Sequence, residues 1–225
     1  MESTRHSLPR RRRWVTVRSM PAPTLQQHFG QIDIYLFDQL LKGRIAPGMP
    51  ILDAGCGPGR NIAYFLREGY PVFAADSAPA SIQSVRELAQ TLAPALPPSN
   101  FRQEPVENMS FPDACAAVVI SSAVLHFAAN DAHFESMLLG SWRVLQPGGL
   151  FFCRLASTIG IETLVQPLEN RRFRLPDGSE RYLVDEPLLA AYTQKLAATP
   201  LDPLKTTIVQ NLRSMTTWVL RKNPL

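Results

Sequence analysis

Cysteine is scarce in this 225-residue chain. The three present, Cys56, Cys115 and Cys153, sit in or beside apolar stretches without C-x-x-C spacing. That excludes a disulfide framework and gives a zinc site no support; buried free thiols in a reducing cytoplasm are the expected state. Long apolar runs are missing too, so no segment reaches membrane-spanning length. Charge is modest, 19% of residues against 45% hydrophobic, as in an ordinary globular domain. The length suits one three-layer domain and is short for two. The net charge of +4 is unevenly placed. Six arginines (Arg5, Arg10, Arg11, Arg12, Arg13, Arg18) face Glu2 alone in the first 20 residues, leaving 17 basic and 18 acidic residues, a net −1, for the remainder. A nearly neutral folded part does not argue for a nucleic-acid-binding enzyme. Residues 1–23, with Pro9, Pro21 and Pro23 and no apolar periodicity, are expected to be a disordered basic tail. Alternatives are a basic arm for RNA or acidic lipid, or a targeting peptide, though the apolar core of a secretory signal is lacking.

What is present centres on Pro50–Asn61, PILDAGCGPGRN. Ile51 and Leu52 start a buried strand that ends at Asp53, and Gly55, Gly57 and Gly59 then alternate with single residues. A sharp turn into a helix is expected here, with Pro58 at the helix start. Glycines without Cβ atoms let a ligand lie against the backbone. The dinucleotide pattern G-x-G-x-x-G needs glycine at position 60, where this chain has Arg60, which disfavours a nicotinamide enzyme. A second apolar strand, Pro71–Asp76, ends in an acid 21 residues after Gly55. Neighbouring parallel strands bring such ends together, and a carboxylate there accepts from both hydroxyls of one ribose.

The remaining elements are read from periodicity and breaks. Thr24–Ile45 reads as one helix capped by Thr24, with an apolar stripe suited to docking on the sheet. Ile62, Phe65 and Leu66 give a helix closed by Gly69. Pro79–Leu92 is a helix with Ser77 as its cap. Phe101 lies in a third strand ending near Glu104, and Cys115–Ser121 is a continuous apolar strand. Asp131–Leu145 is a helix, followed by a Gln146–Gly149 turn and strand Leu150–Leu155. Arg171–Val184 reads as a hairpin about Pro176-Asp177-Gly178, followed by helix Glu186–Leu196. Leu204–Val209 and Met215–Leu220 make a closing hairpin.

The stretch D-x-G-x-G-x-G, Asp53–Gly59, resembles the cofactor loop of the class I S-adenosylmethionine-dependent methyltransferases. Arg143-Val144-Leu145-x-Pro147-Gly148-Gly149 before a strand is similar to that family's fifth-strand signature, and Gly59–Asp76 looks like its tellurite-resistance and thiopurine branch. The resemblance covers roughly residues 50–155. It implies an α/β doubly wound, Rossmann-like fold in one domain, 24–225, with a mostly parallel seven-stranded sheet and a C-terminal antiparallel hairpin; residues 157–184 would be an inserted hairpin or lid. It implies S-adenosylmethionine as cofactor, held by Asp53, Gly55, Cys56, Gly57, Gly59, Asp76, Ser77, Val106 and Ser121, and no metal; the family's leading helix often lies over the cofactor pocket, which implies a contact from Asp33 or Tyr35 as the alternative to plain docking on the sheet. The family's usual acid against the adenine amino group falls at Pro105, so Glu104 or Glu107 is expected to replace it. Val124-Leu125-His126 matches a family V-L-H: His126 either orients substrate or acts as general base, or caps and packs beneath the next helix. Arg171, Arg172, Arg174 and Arg181 either pair with an anionic acceptor or form a solvated face. The expected activity is methyl transfer by in-line displacement to a small-molecule acceptor. The alternatives are an RNA methyltransferase guided by the basic arm and a catalytically silent cofactor-binding module. No N-P-P-Y-type motif for amino-group methylation of nucleic acids or glutamine is present.

Overall fold

The computed structural model describes residues 24–224, so the basic tail expected over residues 1–23 lies outside the described residues. Thr24 caps the first helix: its Oγ1 accepts the Gln27 N–H at 3.2 Å while the Gln27 side chain accepts the Thr24 N–H at 2.9 Å. The single helix expected from Thr24 to Ile45 is instead two, α1 (Leu25–Phe29) and α2 (Ile34–Leu41). Gly30, with a φ of 63°, ends α1. Asp33 caps α2, accepting the Tyr35 N–H at 3.0 Å. The break has a tertiary cause. Asp33 is only 2% exposed; its N–H donates to Asn61 Oδ1 at 3.0 Å and its carboxylate accepts from the Arg154 guanidinium at 2.9 Å. A buried carboxylate needs such partners, and the cap position lets it have them all.

Strands β1 (Ile51–Ala54) and β2 (Val72–Asp76) run parallel, with Asp53 opposite Ala74. The glycine loop between them is followed by further turns, and α3 (Ala63–Arg67) starts only at Ala63. Pro58 therefore sits in the turns rather than at a helix start. Helix α4 (Pro79–Leu92) has the expected bounds but not the expected cap. Ala78 occupies the N-cap position, and Asp76 rather than Ser77 supports it by accepting the Ala78 N–H at 2.9 Å.

Strand β3 (Phe101–Gln103), strand β4 (Ala116–Ser122), helix α5 (Asp131–Val144) and strand β5 (Leu145–Ala156) complete the parallel half. Every residue of β4 is buried, as its unbroken apolar sequence requires of a strand covered on both faces. A small antiparallel sheet follows, made of β6 (Gln166–Pro167), β7 (Arg172–Arg174) and β8 (Glu180–Tyr182). Then come α6 (Glu186–Lys195), β9 (Ala198–Pro200), β10 (Lys205–Val209) and β11 (Arg213–Lys222). Among the described residues the main sheet has the order β10-β11-β5-β4-β1-β2-β3, the expected seven strands closed by an antiparallel hairpin. Three-residue β9 pairs with β11 as an eighth strand that the sequence did not signal. Strand order reverses between β1 and β4, the crevice in which open α/β sheets hold ligands. Apolar side chains alternate across the sheet: Leu52 and Val119 join the layer with Phe134 and Trp218, while Ile51, Val118 and Ile120 join Phe65 and Val85.

Asp53 interrupts this apolar setting. It is 1% exposed, and neither carboxylate oxygen has a hydrogen-bond partner among the described residues. Burial pushes its carboxyl up to about 7; the Arg60 guanidinium pulls against that rise and the Asp76 carboxylate adds to it. The folded chain thus holds this proton more tightly than the unfolded chain. The resulting stabilisation is complete below the ordinary value of 3.8, fades as pH rises, and is gone above about 7.

The two buried acids yield opposite expectations. Asp33→Ala removes a cap and strands Arg154, and a loss of ~1–3 kcal/mol is expected in urea unfolding; an unchanged midpoint contradicts the clamp. Asp53→Asn removes the titration, so its Tm is expected to gain on wild type between pH 5 and pH 8, by about 2–4 °C for each kcal/mol. A difference that does not vary with pH contradicts the unpaired, proton-holding carboxyl.

Candidate active site

The C-terminal ends of β1, β2 and β4 open into a cavity of about 550 Å³. Its floor is the glycine loop, and its best-defined polar feature spans two strands. The Gly57 N–H donates to Asp76 Oδ2 at 2.8 Å, while Oδ1 of the same carboxylate closes the Ala78 turn. Both oxygens keep further acceptor capacity. A Cβ built on Gly57 would meet no protein atom within 4 Å, and φ there is 52°. Since Gly57 lines the cavity, the space a side chain would fill is left to a ligand that can approach the bare backbone. A nucleoside joined to an amino acid fits these features: a carboxylate for ribose hydroxyls and an open backbone for the amino-acid half.

Six of the expected binding residues, Gly55, Cys56, Gly57, Asp76, Ser77 and Val106, line this cavity together. Three do not. Asp53 is buried in β1 and absent from the wall. Gly59 is bare for packing, since a Cβ there would lie 3.1 Å from Leu88 and Val85 of α4. Ser121 is fully buried, and its neighbour Ser122 faces the cavity instead, because successive strand residues point to opposite faces. Asp33 and Tyr35 are also outside the wall; the Tyr35 hydroxyl hydrogen-bonds Thr207 Oγ1 at 2.8 Å. Asp33 acts at one remove, through Arg60 at 3.6 Å. Arg60 lines the cavity and donates to Ser122 Oγ at 3.2 Å.

Of the two acids that follow β3, Glu107 lines the cavity and Glu104 does not. Glu104 turns away, accepting the Ser110 N–H at 2.8 Å and the Ser110 hydroxyl. Glu107 lines the cavity beside Val106, and its Oε1 is 3.4 Å from His133 Nε2. Since the Ala129 N–H donates to His133 Nδ1 at 3.1 Å, the proton belongs on Nε2, facing that carboxylate.

His126 is not placed as a base. It is buried, outside the cavity wall, and its Nδ1 accepts the Ala156 N–H at 3.1 Å. Burial, helped by the Arg181 charge, lowers it to about 4, so it is neutral at physiological pH. The packing alternative is the one observed. Burial also pushes the Cys56 thiol upward, which leaves it without thiolate character although it lines the cavity. Sequence reading singled out none of Arg60, Phe127, His133 and Met137, and at the end of β4 it chose Ser121 over its neighbour Ser122. The signal available for Ser122 was its place one residue beyond Ser121 on the alternating pattern; Phe127 follows the V-L-H stretch directly.

The comparisons fit this geometry. A family model described as "Methyltransferase domain" matches residues 52–153, the span from β1 into β5 that builds most of the cavity. An uncharacterized methyltransferase of Bacillus subtilis, YodH, is 32% identical over 127 residues, covering 56% of this chain and 48% of that protein. One from Synechocystis sp. is 29% identical over 107 residues, covering 48% of this chain and 47% of the other. The chain thus spans about half the length of the curated relatives it matches. In fold it is similar to the Burkholderia thailandensis 1,6-didemethyltoxoflavin-N1-methyltransferase solved with its substrate and S-adenosylhomocysteine. That likeness has a TM-score of 0.63 at 22% identity, covering 82% of this chain and 76% of that one. The domain match thus lies on the strands whose ends carry the glycine loop and Asp76: over residues 52–153 the chain is similar to the methyltransferase domain family.

Proposed function

We propose that this chain transfers the methyl group of S-adenosylmethionine to a small-molecule acceptor in the cavity at the ends of β1, β2 and β4. The observation that carries the reading is the Gly57–Asp76 bracket, which puts open backbone and a carboxylate with spare lone pairs on one wall. Asp76 would take the ribose hydroxyls, the Gly55–Gly57 backbone the amino-acid half, and Val106 and Glu107 the adenine. Arg60 offers a guanidinium for the amino-acid carboxylate. When bound, the cofactor supplies a methyl group on a sulfonium that carries its own leaving group.

The chain's own contribution is then to position the acceptor and exclude water. His126 is locked in a backbone hydrogen bond and His133 Nδ1 is occupied, so among the described residues neither offers a free imidazole lone pair to the cavity. Acceptors that are nucleophilic in their own right, such as thiolates or groups already ionised at working pH, suit the site best. The 1,6-didemethyltoxoflavin bound by the Burkholderia methyltransferase, to which the chain is similar in fold, supports a small-molecule acceptor. The RNA reading rests on the arginines of residues 1–23, while the rest of the chain carries a net −1 and offers little to a phosphate backbone.

Calorimetry with S-adenosylhomocysteine tests the site. Wild type is expected to bind, and Asp76→Ala to bind more weakly by about 1–3 kcal/mol, the cost of stranding hydrogen-bonding groups. Equal affinity removes Asp76 from the site. A panel of thiol, oxyanion, phenol and amine acceptors with methyl-labelled cofactor then tests transfer: binding without any labelled product favours the silent cofactor-binding module.

A further inference from the structure

The turn after β4 carries an aromatic side chain that the cofactor reading does not use. Phe127 lines the cavity yet is 60% exposed, although Leu125 and His126 beside it are buried. Val124 and Met137 extend the same apolar wall. The backbone leading to it is held under strain: Ala123, which also lines the cavity, has a φ of 64°, a conformation a side-chain-bearing residue rarely adopts. Its N–H donates to the Arg154 carbonyl at 2.7 Å, which fixes the turn. An exposed ring on a fixed turn at a cavity wall is a ready stacking surface.

The second observation concerns charge. The hairpin of β7 and β8 presents four arginines, and three are ion-paired within the chain. Arg171 pairs with Asp185 at 2.9 Å, while Arg172 and Arg174 pair with Glu180 at 3.4 and 2.9 Å. Arg181 differs. Among the described residues no carboxylate lies within ion-pair distance of it; it donates to the Glu180 carbonyl at 2.7 Å, and its guanidinium rests 4.9 Å from the centre of the Phe127 ring. A half-buried guanidinium on an aromatic face is stabilised by the ring but keeps its full charge. The lowered pKa of His126 registers that charge at this turn. Of the two carboxylates on the cavity wall, Glu107 lies 3.4 Å from His133 Nε2, and Asp76 accepts the Gly57 and Ala78 N–H groups.

We propose that Phe127 and Arg181 form the acceptor subsite, and that the acceptor is a planar aromatic acid whose ring packs on Phe127 with its anionic group on Arg181. This rests on the methyltransferase reading and narrows its substrate class. It also gives the inserted hairpin a role: β8 carries Arg181, which is outside the cavity lining itself, onto the Phe127 ring of the wall.

The test uses the full chain saturated with S-adenosylhomocysteine, titrated with 2-naphthoate and with its neutral isostere 2-naphthamide. Saturable binding of the acid is expected, about tenfold tighter than the amide, a ratio worth about 1.4 kcal/mol. Arg181→Met should bring the two to parity, and Phe127→Ala should weaken both about tenfold while S-adenosylhomocysteine affinity changes far less. Three results overturn the proposal: no saturable binding of 2-naphthoate up to about 10 mM, equal affinity for acid and amide in wild type, or a Phe127→Ala variant that loses S-adenosylhomocysteine instead of naphthoate. Circular dichroism of both variants separates a binding loss from unfolding, and Arg181→Met, altering a half-buried surface side chain, keeps the test open if Phe127→Ala fails to fold. Failure of wild type to bind S-adenosylhomocysteine at all overturns the methyltransferase reading and this one with it, whereas retained cofactor binding without naphthoate binding overturns this one alone.

Discussion

The hydrogen bond from the Gly57 N–H to Asp76 is the contact on which the site depends. Two parallel strands in register end side by side, and the loop leaving the first folds over the acid that ends the second. One carboxylate oxygen fixes that loop and the other fixes the turn into α4. The geometry works only if the loop backbone can approach closely and adopt left-handed angles, which explains the glycine there. Hydrogen bonds to an ionised acceptor are stronger than neutral ones, so a single acid can organise two loops and still have lone pairs to present.

A second set of charges holds the opposite side. Asp33 is buried at the start of α2 and gathers Arg154 from β5 and Arg60 from the glycine loop. The helical lead-in is thereby tied to the ends of strands far away in sequence. Two guanidinium groups share one carboxylate, leaving this side of the cavity with positive charge to spare. Beneath it Asp53 sits unpaired. The cavity therefore has an acidic side at Asp76, a basic side near Arg60 and a neutral thiol at Cys56. Its polarity is set by which charges are paired and which are not.

Much of this was legible in the sequence, for a physical reason: the informative signals are local. Glycines alternating after a strand, an acid ending the next strand and an unbroken apolar run each report backbone needs within a few residues, and they placed β1, β2, α4, β4 and α5 correctly. What escaped depends on distant partners. The helix break at Gly30 serves Asp33, whose ion-pair partner Arg154 lies 121 residues on. His126 reads in the sequence either as a base or as a packed residue; the Ala156 N–H that occupies its Nδ1 lies 30 residues later. The Ser121 and Ser122 exchange reflects a period of two read one residue out of phase, and β9 is too short to show a period at all.

The account's central claim is that the bracket between the first two strand ends holds the cofactor's sugar. A crystal structure of the chain grown with S-adenosylhomocysteine addresses it most directly. The account predicts ribose hydroxyls within about 2.6–3.2 Å of the Asp76 carboxylate, with the amino-acid half against the Gly55–Gly57 backbone. A ligand seated elsewhere, or one whose ribose does not touch Asp76, would contradict it.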